Sequence, residues 1–550
     1  NLKRLVDLVT PKSEAYRRAF QYALGDTLVA NNLDQATRVG LGGRERRRVV
    51  TLDGKLVDTS GTMTGGGNAP MKGGMKSGDS SDVTEAEVNQ LLMLDKNLSV
   101  PFQHYAIQKL DFFGCDLSSL PSSLPDVLPN LSILFCMKNK FAEMPAVIGQ
   151  CPRLQMVSFK SNKMTSIHPE ALQPQMRWLI LTDNRLESLP STIGRCTDLQ
   201  KCMLSGNLLA ALPDEIENCK SLELIRLASN KLEEPPIKLL SLPNLSWVAF
   251  SDNPFLSNLP AGTRRLAEKA STELQILDEP ELDNPNIGEV LGTGASGITH
   301  KKYHQNGHVA VKTYVSSSIT SDGNPEEERK ISMICSSLGC DSLIQVLGQT
   351  AGSGALVMEY LENYSALADP PSFESCSRDV YPDGATIAPD DAVDIVSGLL
   401  DALAKLHAAG ICHGDFYGHN ILCSGNKVKL SDMGAAFMYD KRKKYGGLIE
   451  VVEKRAFARL VTEICVLLDK SDDPDARDAS RLLADLSHIC LASSLDTFEF
   501  LNLKWQGLQS WYKEGRASKV EPEKAGEDQK RIQQREATKK KKSQRRLTLV

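Results

Sequence analysis

Leucine and asparagine recur along residues 105–256 with a spacing of 22–24 residues. Each repeat follows the frame L-x-x-L-x-L-x-x-N-x-L. Because apolar and polar positions alternate inside this frame, each repeat predicts one short strand with every second side chain in a core. The asparagine is expected to bond turn backbone that would otherwise be buried without a partner. The pattern predicts a solenoid of about seven parallel strands. The asparagine position of the successive frames is occupied by Cys115, Asn139, Asn162, Asn184, Asn207, Asn230 and Asn253.

This frame resembles the leucine-rich repeat. The resemblance implies a solenoid whose concave face binds a protein partner, and the alternative is a stiff spacer without a ligand.

A different pattern, alternating strands and helices, runs over residues 286–515. An apolar strand is predicted at 309–312, a hairpin turn between His300 and His308, and a helix that starts at Asn324-Pro325 and is followed by acids. A second helix is predicted from Asp391 to Ala409, because apolar residues recur there with helical spacing. His300, His304 and His308 also have helical spacing, but in a hairpin they are surface histidines rather than metal ligands.

Phosphate chemistry is indicated between residues 292 and 312. Gly292, Gly294 and Gly297 form a G-x-G-x-x-G loop between two strands, which lets backbone N–H groups approach phosphates. Lys312 ends the following strand and is placed to reach those phosphates as a point charge. An acid on the next helix is expected to pair with it. Glu328 fits best, with Glu326 or Glu327 as alternatives.

Two further motifs complete the set: His413-Gly-Asp-Phe-Tyr-Gly-His-Asn420 and Asp432-Met-Gly434. In this order the motifs resemble a protein kinase domain of about 230 residues, similar to kinase domains joined to leucine-rich repeats in protists and bacteria. The resemblance implies that Asp415 accepts or orients the proton of the substrate hydroxyl. It also implies that Asn420 and Asp432 bind Mg²⁺, and that Lys312, paired with Glu328, holds the ATP phosphates.

The resemblance further implies a nucleotide pocket for ATP. Backbone at Glu359 and Leu361 would receive the adenine, and Met358 would line the back of the pocket. The proposed nucleotide-binding set is Gly292, Gly294, Gly297, Ala310, Lys312, Met358, Glu359 and Leu361.

Several positions depart from the kinase pattern. Gly414 stands where many kinases have Arg, Tyr417 replaces a Lys typical of serine/threonine kinases, and Met433 replaces Phe. No A-P-E motif is present, and the segment from Glu453 to Ala458 is expected to replace the usual helix after the activation segment. The prediction is a protein kinase, with a serine or threonine acceptor as the base-rate choice. The alternative is a pseudokinase scaffold that binds ATP without transfer.

Residues 1–77 predict a helix over 19–36, a strand hairpin at Asp53-Gly54 and a glycine-rich close at 61–67. The run resembles the second half of the hinge domain of structural-maintenance-of-chromosomes (SMC) proteins, near the condensin type. This implies a hinge-mediated dimer and, as a third functional class, chromosome association. Because the first residue is Asn, we expect a fragment, a processed product or an incomplete gene model.

Composition supports an intracellular protein, cytoplasmic or nuclear. Hydrophobic residues make up 41% and charged residues 24%, as in ordinary globular domains. Thirteen cysteines without a C-x-x-C pair fit a reduced compartment. No apolar stretch predicts a membrane span. The net charge of −5 disfavours a dedicated nucleic-acid binder, leaving the hinge and the basic tail as the places where nucleic acid would bind.

The predicted fold class is multidomain α+β and α/β. The predicted order is a partial hinge-like domain, a linker, leucine-rich repeats, a second linker, a bilobal kinase-like domain and a disordered or helical basic tail. Their predicted ranges are 1–77, 78–104, 105–256, 257–285, 286–515 and 516–550.

Overall fold

A computed structural model describes five short strands within residues 3–64, and residues 107–514 apart from 274, 278–287, 305–306, 315–319, 472, 474, 493–495, 511 and 513. The linker predicted at 78–104 and the tail predicted at 516–550 lie outside the described residues. The chain divides into two compact units. The first comprises residues 1–222 together with 371–378, and the second comprises residues 223–370 together with 379–550.

The N-terminal strands form one sheet in the order β1-β2-β3-β4-β5. They are β1 (Lys3–Arg4), β2 (Leu28–Ala30), β3 (Val49–Thr51), β4 (Leu56–Val57) and β5 (Met63–Thr64). The predicted hairpin is confirmed, because β3 and β4 pair antiparallel around Asp53-Gly54. The helix predicted over 19–36 is wrong at Leu28–Ala30: this apolar triplet forms β2 and pairs with β1 on one side and β3 on the other. The rest of that predicted helix lies outside the described residues.

Parallel strands build the repeat sheet of the first unit. They are β6 (Lys109–Asp111), β7 (Ile133–Phe135), β9 (Met156–Ser158), β11 (Trp178–Ile180) and β12 (Lys201–Met203). Every middle residue of these strands is fully buried, as at Leu134 and Leu179. Because side chains alternate along a strand, the two flanking residues of each strand share the opposite, open face of the sheet.

The chain returns between strands through short turns. Pro145, Pro190 and Pro213 each precede a five-residue 3-10 turn, as expected for a residue that cannot donate to a sheet. Two short parallel strands, β8 (Glu143–Met144) and β10 (Ser166–Ile167), and a helical turn, α1 (Leu124–Val127), complete the repeats of this unit.

Buried asparagines join successive repeats. Asn162 Nδ2 donates to the backbone oxygen of Cys136 at 2.7 Å, and Asn184 Nδ2 donates to that of Phe159 at 2.9 Å. Each bond therefore crosses to the preceding repeat and gives a partner to a carbonyl that the stack removes from water. The role predicted for these asparagines is confirmed by these bonds.

Residues 371–378 cover part of the open face of the repeat sheet. Phe373 and Cys376 pack against an apolar cluster on that face, and Arg177 Nη2 donates to the backbone oxygen of Glu374 at 3.4 Å. The clustered side chains on the face are Ile133, Phe135, Met156, Trp178, Ile180 and Met203. The face predicted to receive a separate protein partner is therefore in contact with a segment of the same chain.

The second unit begins with two parallel strands of the repeat frame, β13 (Leu224–Arg226) and β14 (Trp247–Ala249), and the helical turn α2 (Ile237–Leu240). The linker predicted at 257–285 is wrong in part. It contains helix α3 (Ala261–Glu273) and strand β15 (Ile276–Leu277), and β15 pairs with a strand of the next sheet.

That sheet has six strands in the order β15-β19-β20-β18-β17-β16. Its remaining strands are β16 (Val290–Thr293), β17 (Gly297–His304), β18 (Gly307–Tyr314), β19 (Val346–Thr350) and β20 (Leu356–Glu359). Strands β17 and β18 form the predicted hairpin, with Tyr303 opposite His308. Helix α4 (Pro325–Ser336) starts as predicted, because the Asn324 side chain caps it by accepting a bond from Glu326 N at 2.9 Å.

Helices dominate the remainder of the second unit. They are α5 (Pro389–Ala408), α6 (Lys444–Asp469) and α7 (Ala476–Ala492). Five short strands accompany them: β21 (Ser365–Ala366), β22 (Ile411–Cys412), β23 (Ile421–Ser424), β24 (Lys427–Leu430) and β25 (Phe437–Met438). They form a three-stranded sheet in the order β21-β23-β24 and a two-stranded sheet of β22 and β25. The described helices include none with the length and apolar character that crossing a bilayer requires.

Candidate active site

The glycine loop joins β16 to β17, and Gly294 N donates to Gly297 O at 2.9 Å across the turn. Gly297 is required by packing, because a Cβ there would lie 2.2 Å from the backbone oxygen of Thr313 on β18. At Gly292, in contrast, a Cβ would meet open space. The loop is therefore fixed at one end and free of side chains at the other, as close backbone approach to a phosphate requires.

Lys312 lies on β18 and forms an ion pair with Glu328 of α4. Glu326 and Glu327 bond instead to Arg329 and Lys330, so Glu328 is the acid that the fold brings to Lys312. Burial acts to lower the pKa of Lys312, but the charges of Glu328 and Asp432 outweigh it and raise that pKa above its ordinary value. Lys312 is therefore a fixed cation that Glu328 and Asp432 hold in its charged form.

The loop from His413 to Asn420 presents the next groups. Asn420 Nδ2 donates both to the backbone oxygen of Asp415 and to its Oδ2, each at 2.9 Å. Asp415 N donates to His413 Nδ1 at 3.2 Å, and His413 Nε2 lies 2.9 Å from Ser431 O. Because both ring nitrogens of His413 have backbone partners, this histidine holds the loop in shape.

Asp432 approaches the same site from the segment after β24. It is exposed, has a left-handed φ of 56°, and its Oδ1 accepts a bond from Gly434 N at 3.0 Å. The amide oxygen of Asn420 and the carboxylate of Asp432 are hard oxygen donors of the type that Mg²⁺ prefers. These residue types fit a magnesium site. Among the described residues, no cluster of three or more His, Cys, Asp or Glu side chains suits a metal.

Glu453 of α6 supports the loop from below. It is buried, and it accepts bonds from His413 N at 3.0 Å and Gly414 N at 2.6 Å, while His407 Nε2 lies 2.6 Å from it. A single carboxylate thus fixes the backbone on the N-terminal side of Asp415. The segment from Glu453 to Ala458, expected to replace the usual helix after the activation segment, lies within α6.

The proposed adenine-binding strand is β20. Met358 lies opposite Ala310 of β18, which places two of the predicted pocket residues side by side. Glu359 N donates to Gln345 O at 3.0 Å and is therefore already bonded. Of the two backbone groups of Glu359, this leaves the carbonyl as the one proposed to receive adenine. The Glu359 side chain is held by Lys429 at 2.5 Å.

Arg226 and Asp322 also belong to this site, although no sequence motif predicted either residue. Arg226 is fully buried; its guanidinium forms an ion pair with Asp415 and a second one with Asp322 at 2.9 Å. In the repeat frame Arg226 occupies a variable position of the strand, so no motif marks it. Asp322 lies in a polar stretch before α4 that carries no spacing signal.

Two of the departures from the kinase pattern have structural reasons. Gly414 has a φ of +74°, and a Cβ there would lie 2.2 Å from the backbone oxygen of Val248 on β14. Any larger residue would therefore clash with that strand. The ring of Tyr417 stacks on Trp247 with a centroid distance of 4.2 Å and an interplanar angle of 8°.

Comparison with known proteins agrees with this geometry. Residues 286–458 match the family model of the protein kinase domain, and residues 1–40 match that of the flexible hinge domain of SMC proteins. The kinase and hinge resemblances predicted from the sequence are therefore confirmed.

Curated relatives share only part of this chain. It is 49% identical over 111 residues to structural maintenance of chromosomes protein 4 of Homo sapiens, covering 20% of this chain and 9% of the relative. It is 51% identical over 96 residues to the protein of the same name from Saccharomyces cerevisiae, covering 16% and 7%. The chain thus spans less than a tenth of the length of these relatives. Among solved structures, an LRR protein of Leptospira interrogans matches with a TM-score of 0.25 and 30% identity, covering 27% of this chain and 38% of that chain.

Proposed function

We propose that this chain is an ATP- and Mg²⁺-dependent protein kinase that transfers the γ-phosphate to a serine or threonine hydroxyl of a protein. The observations that support the proposal are three: Lys312 pairs with Glu328, the charge of Asp432 acts on Lys312, and Asn420 bonds Asp415. Phosphoryl transfer depends on positioning and charge stabilisation rather than on covalent catalysis, and these groups supply both.

In the proposed reaction the acceptor oxygen forms a bond to the γ-phosphorus while the bond from that phosphorus to the β–γ bridging oxygen breaks. Asp415 takes the proton of the acceptor hydroxyl, and ADP leaves with the bridging oxygen. Lys312 holds phosphate oxygens, and the open end of the glycine loop covers them. Asn420 and Asp432 would hold Mg²⁺, which neutralises phosphate charge when bound.

Asp415→Asn tests this proposal directly. The change keeps the shape of the side chain but removes its ability to accept the proton, so we expect kcat to fall about 10²–10⁴-fold. Nucleotide binding should stay within about twofold, because Lys312 and Asp432 are unchanged. Transfer of radiolabelled γ-phosphate to a mixed protein substrate and titration with a fluorescent ATP analogue measure the two quantities.

Asp383→Asn, at an exposed position, is the matched control and should leave both quantities unchanged. If the unaltered protein binds nucleotide and transfers no phosphate, the pseudokinase alternative replaces the proposal. Unchanged turnover in Asp415→Asn would remove the assigned base.

We also propose that the N-terminal region forms a hinge-type dimer and brings the chain into contact with chromosomes, inside the cell. The identity to SMC relatives supports this second function. Light scattering of the full chain at micromolar concentration should give twice the monomer mass. Changing Gly65, Gly66 and Gly67 to Val should give a monomer, because the SMC resemblance implies that hinges dimerise through sheet edges packed near such glycines. Gly73→Ala with Gly74→Ala is the control, and a monomeric unaltered chain would contradict the proposal.

A further inference from the structure

Asp415 is held by a side chain that belongs to the repeat frame. Arg226 lies at the end of β13, and its Nη1 donates to Gly414 O at 2.9 Å while Nη2 pairs with Asp415 Oδ1. The loop from His413 to Asn420 contains neither Lys nor Arg. The guanidinium charge beside Asp415, the proposed base, therefore comes from a strand almost 190 residues earlier in the chain.

Backbone contacts fix this arrangement. Val248 N donates to Gly414 O at 3.1 Å, and Trp247 Nε1 donates to Phe416 O at 2.9 Å. Together with the Trp247–Tyr417 stack, these bonds hold β14 against the residues on both sides of Asp415. Nearby, Ala228, Ala249 and Ala435 form a buried cluster of small side chains, which permits close approach. Arg226 therefore reaches Asp415 from a rigid support and not from a mobile loop.

The two oxygens of the Asp415 carboxylate have different partners. Oδ1 pairs with Arg226, and Oδ2 accepts from Asn420 Nδ2 at 2.9 Å. Two partners at fixed angles define the plane of the carboxylate, and an arginine fork is well suited to this because its donors lie in one rigid plane. Asp322 binds Nε of the same guanidinium at 2.9 Å and so fixes the fork itself.

We propose that Arg226 is a positioning residue for phosphoryl transfer, which fixes the Asp415 carboxylate, so that the repeat strands β13 and β14 are part of the catalytic unit. This inference rests on the proposed kinase function. Geometry at a proton-accepting group has large effects on rate, and a displacement of about 1 Å can cost about 10²-fold.

Arg226→Met and Arg226→Lys test the inference, with phosphate transfer and nucleotide binding measured in parallel. We expect Arg226→Met to lower kcat about 10²-fold and to leave nucleotide affinity unchanged. Arg226→Lys keeps the charge but loses the fork, so it should recover part of kcat.

Arg455→Met is the matched control. Arg455 donates to the backbone oxygens of Leu242 and Leu245 in the same repeat region, without contacting Asp415, so its loss should lower kcat far less than the loss of Arg226. An unchanged kcat in Arg226→Met overturns the inference. So does a rise in activity, which would mean that Arg226 blocks Asp415, or a loss of kcat no larger than that of Arg455→Met.

If Arg226→Met does not fold, Arg226→Lys decides: a rate equal to that of the unaltered protein overturns the inference, and a reduced kcat with unchanged nucleotide affinity supports it. An unaltered protein that binds nucleotide without transferring phosphate instead overturns the proposed function, so the two failures are distinguishable.

Discussion

At the scale of single residues, one buried carboxylate orders the loop before Asp415 through several hydrogen bonds. Glu453 accepts two backbone N–H bonds, from His413 and Gly414, and bonds to the His407 ring. Burial acts to raise the pKa of Glu453, but the bond and charge of His407, the charge of His413 and the Gly414 N–H lower it below the ordinary value of 4.5. The carboxylate is thus held ionised at neutral pH in the place where it orders the loop.

Glu453→Gln should therefore destabilise the fold strongly. The amide nitrogen would face backbone donors, and we expect a loss of about 3–5 kcal/mol in the free energy of unfolding at neutral pH, since one partner of a buried charged group is removed. Urea unfolding of the full chain measures this loss. Glu362→Gln, at an exposed position, should change the free energy by less than about 0.5 kcal/mol.

The pH dependence gives the sign of the same effect. Because the pKa of Glu453 is depressed in the folded state, its contribution is complete well above pH 4.5 and is lost as the pH falls towards the folded-state pKa. The difference between the unaltered protein and Glu453→Gln should shrink as the pH is lowered below 4.5. A difference that is independent of pH would show that the carboxylate is not ionised in the folded state.

At the scale of elements, hydrophobic periodicity correctly predicted those features that residues close together in the sequence determine. The second helix of the kinase-like part was predicted from Asp391 to Ala409 and is observed as Pro389–Ala408. Apolar spacing defines one buried face of a helix, and Pro at its first position fixes the start. The asparagine frame likewise predicted buried side chains that bond backbone of the previous repeat.

Contacts between distant segments were not predictable in this way. Leu28–Ala30 forms a strand because β1 and β3 pair with it on either side. The sequence of the triplet itself carries no sign of these partners. Strand β15 lies inside the predicted linker for the same reason, as it pairs with β19 about 70 residues later. Arg226 occupies a variable position of its frame, so only the fold shows that a catalytic loop lies beside it.

Gly414 shows how a sequence anomaly can carry such information. From the sequence it reads as a lost arginine. In the structure it is the point where β14 comes too close for any side chain, and Arg226 from β13 occupies the space beside Asp415. The lack of a side chain at Gly414 and the presence of Arg226 beside Asp415 thus both follow from the contact of β13 and β14 with this loop, within the second unit.

At the scale of the whole molecule, the chain itself provides a ligand for its repeats. The chain leaves the second unit after Pro370, contributes residues 371–378 to the first unit, and rejoins the second unit at Asp379. On the open face of the repeat sheet, Phe373 and Cys376 contact Met156, Trp178 and Ile180. A protein that binds this apolar cluster must therefore displace the chain's own segment first, and the ordering free energy of that segment sets the affinity that the partner needs.

The thiol of Cys376 reports on this segment. It is 1% exposed, so it should react with a thiol reagent only when residues 371–378 leave the sheet. Phe373→Asp removes an aromatic ring from the apolar cluster and places a charge there, which costs free energy because the charge loses its hydration on docking. We expect the labelling rate of Cys376 to rise at least about tenfold, which corresponds to about 1.4 kcal/mol of lost docking free energy. Mass spectrometry of the digested protein identifies the labelled cysteine.

Glu374→Gln changes the charge of the adjacent, exposed residue by one unit in the opposite direction and should leave the rate unchanged. Cys115, which is partly exposed, gives the rate of an accessible thiol in the same molecule. If Cys376 already reacts as fast as Cys115 in the unaltered chain, the segment does not cover the face in solution. The open face would then be free for a partner without competition. If Cys376 is protected and Phe373→Asp exposes it, the repeats recognise an apolar peptide in the same chain, and competition with residues 371–378 becomes the first criterion for any partner of this face.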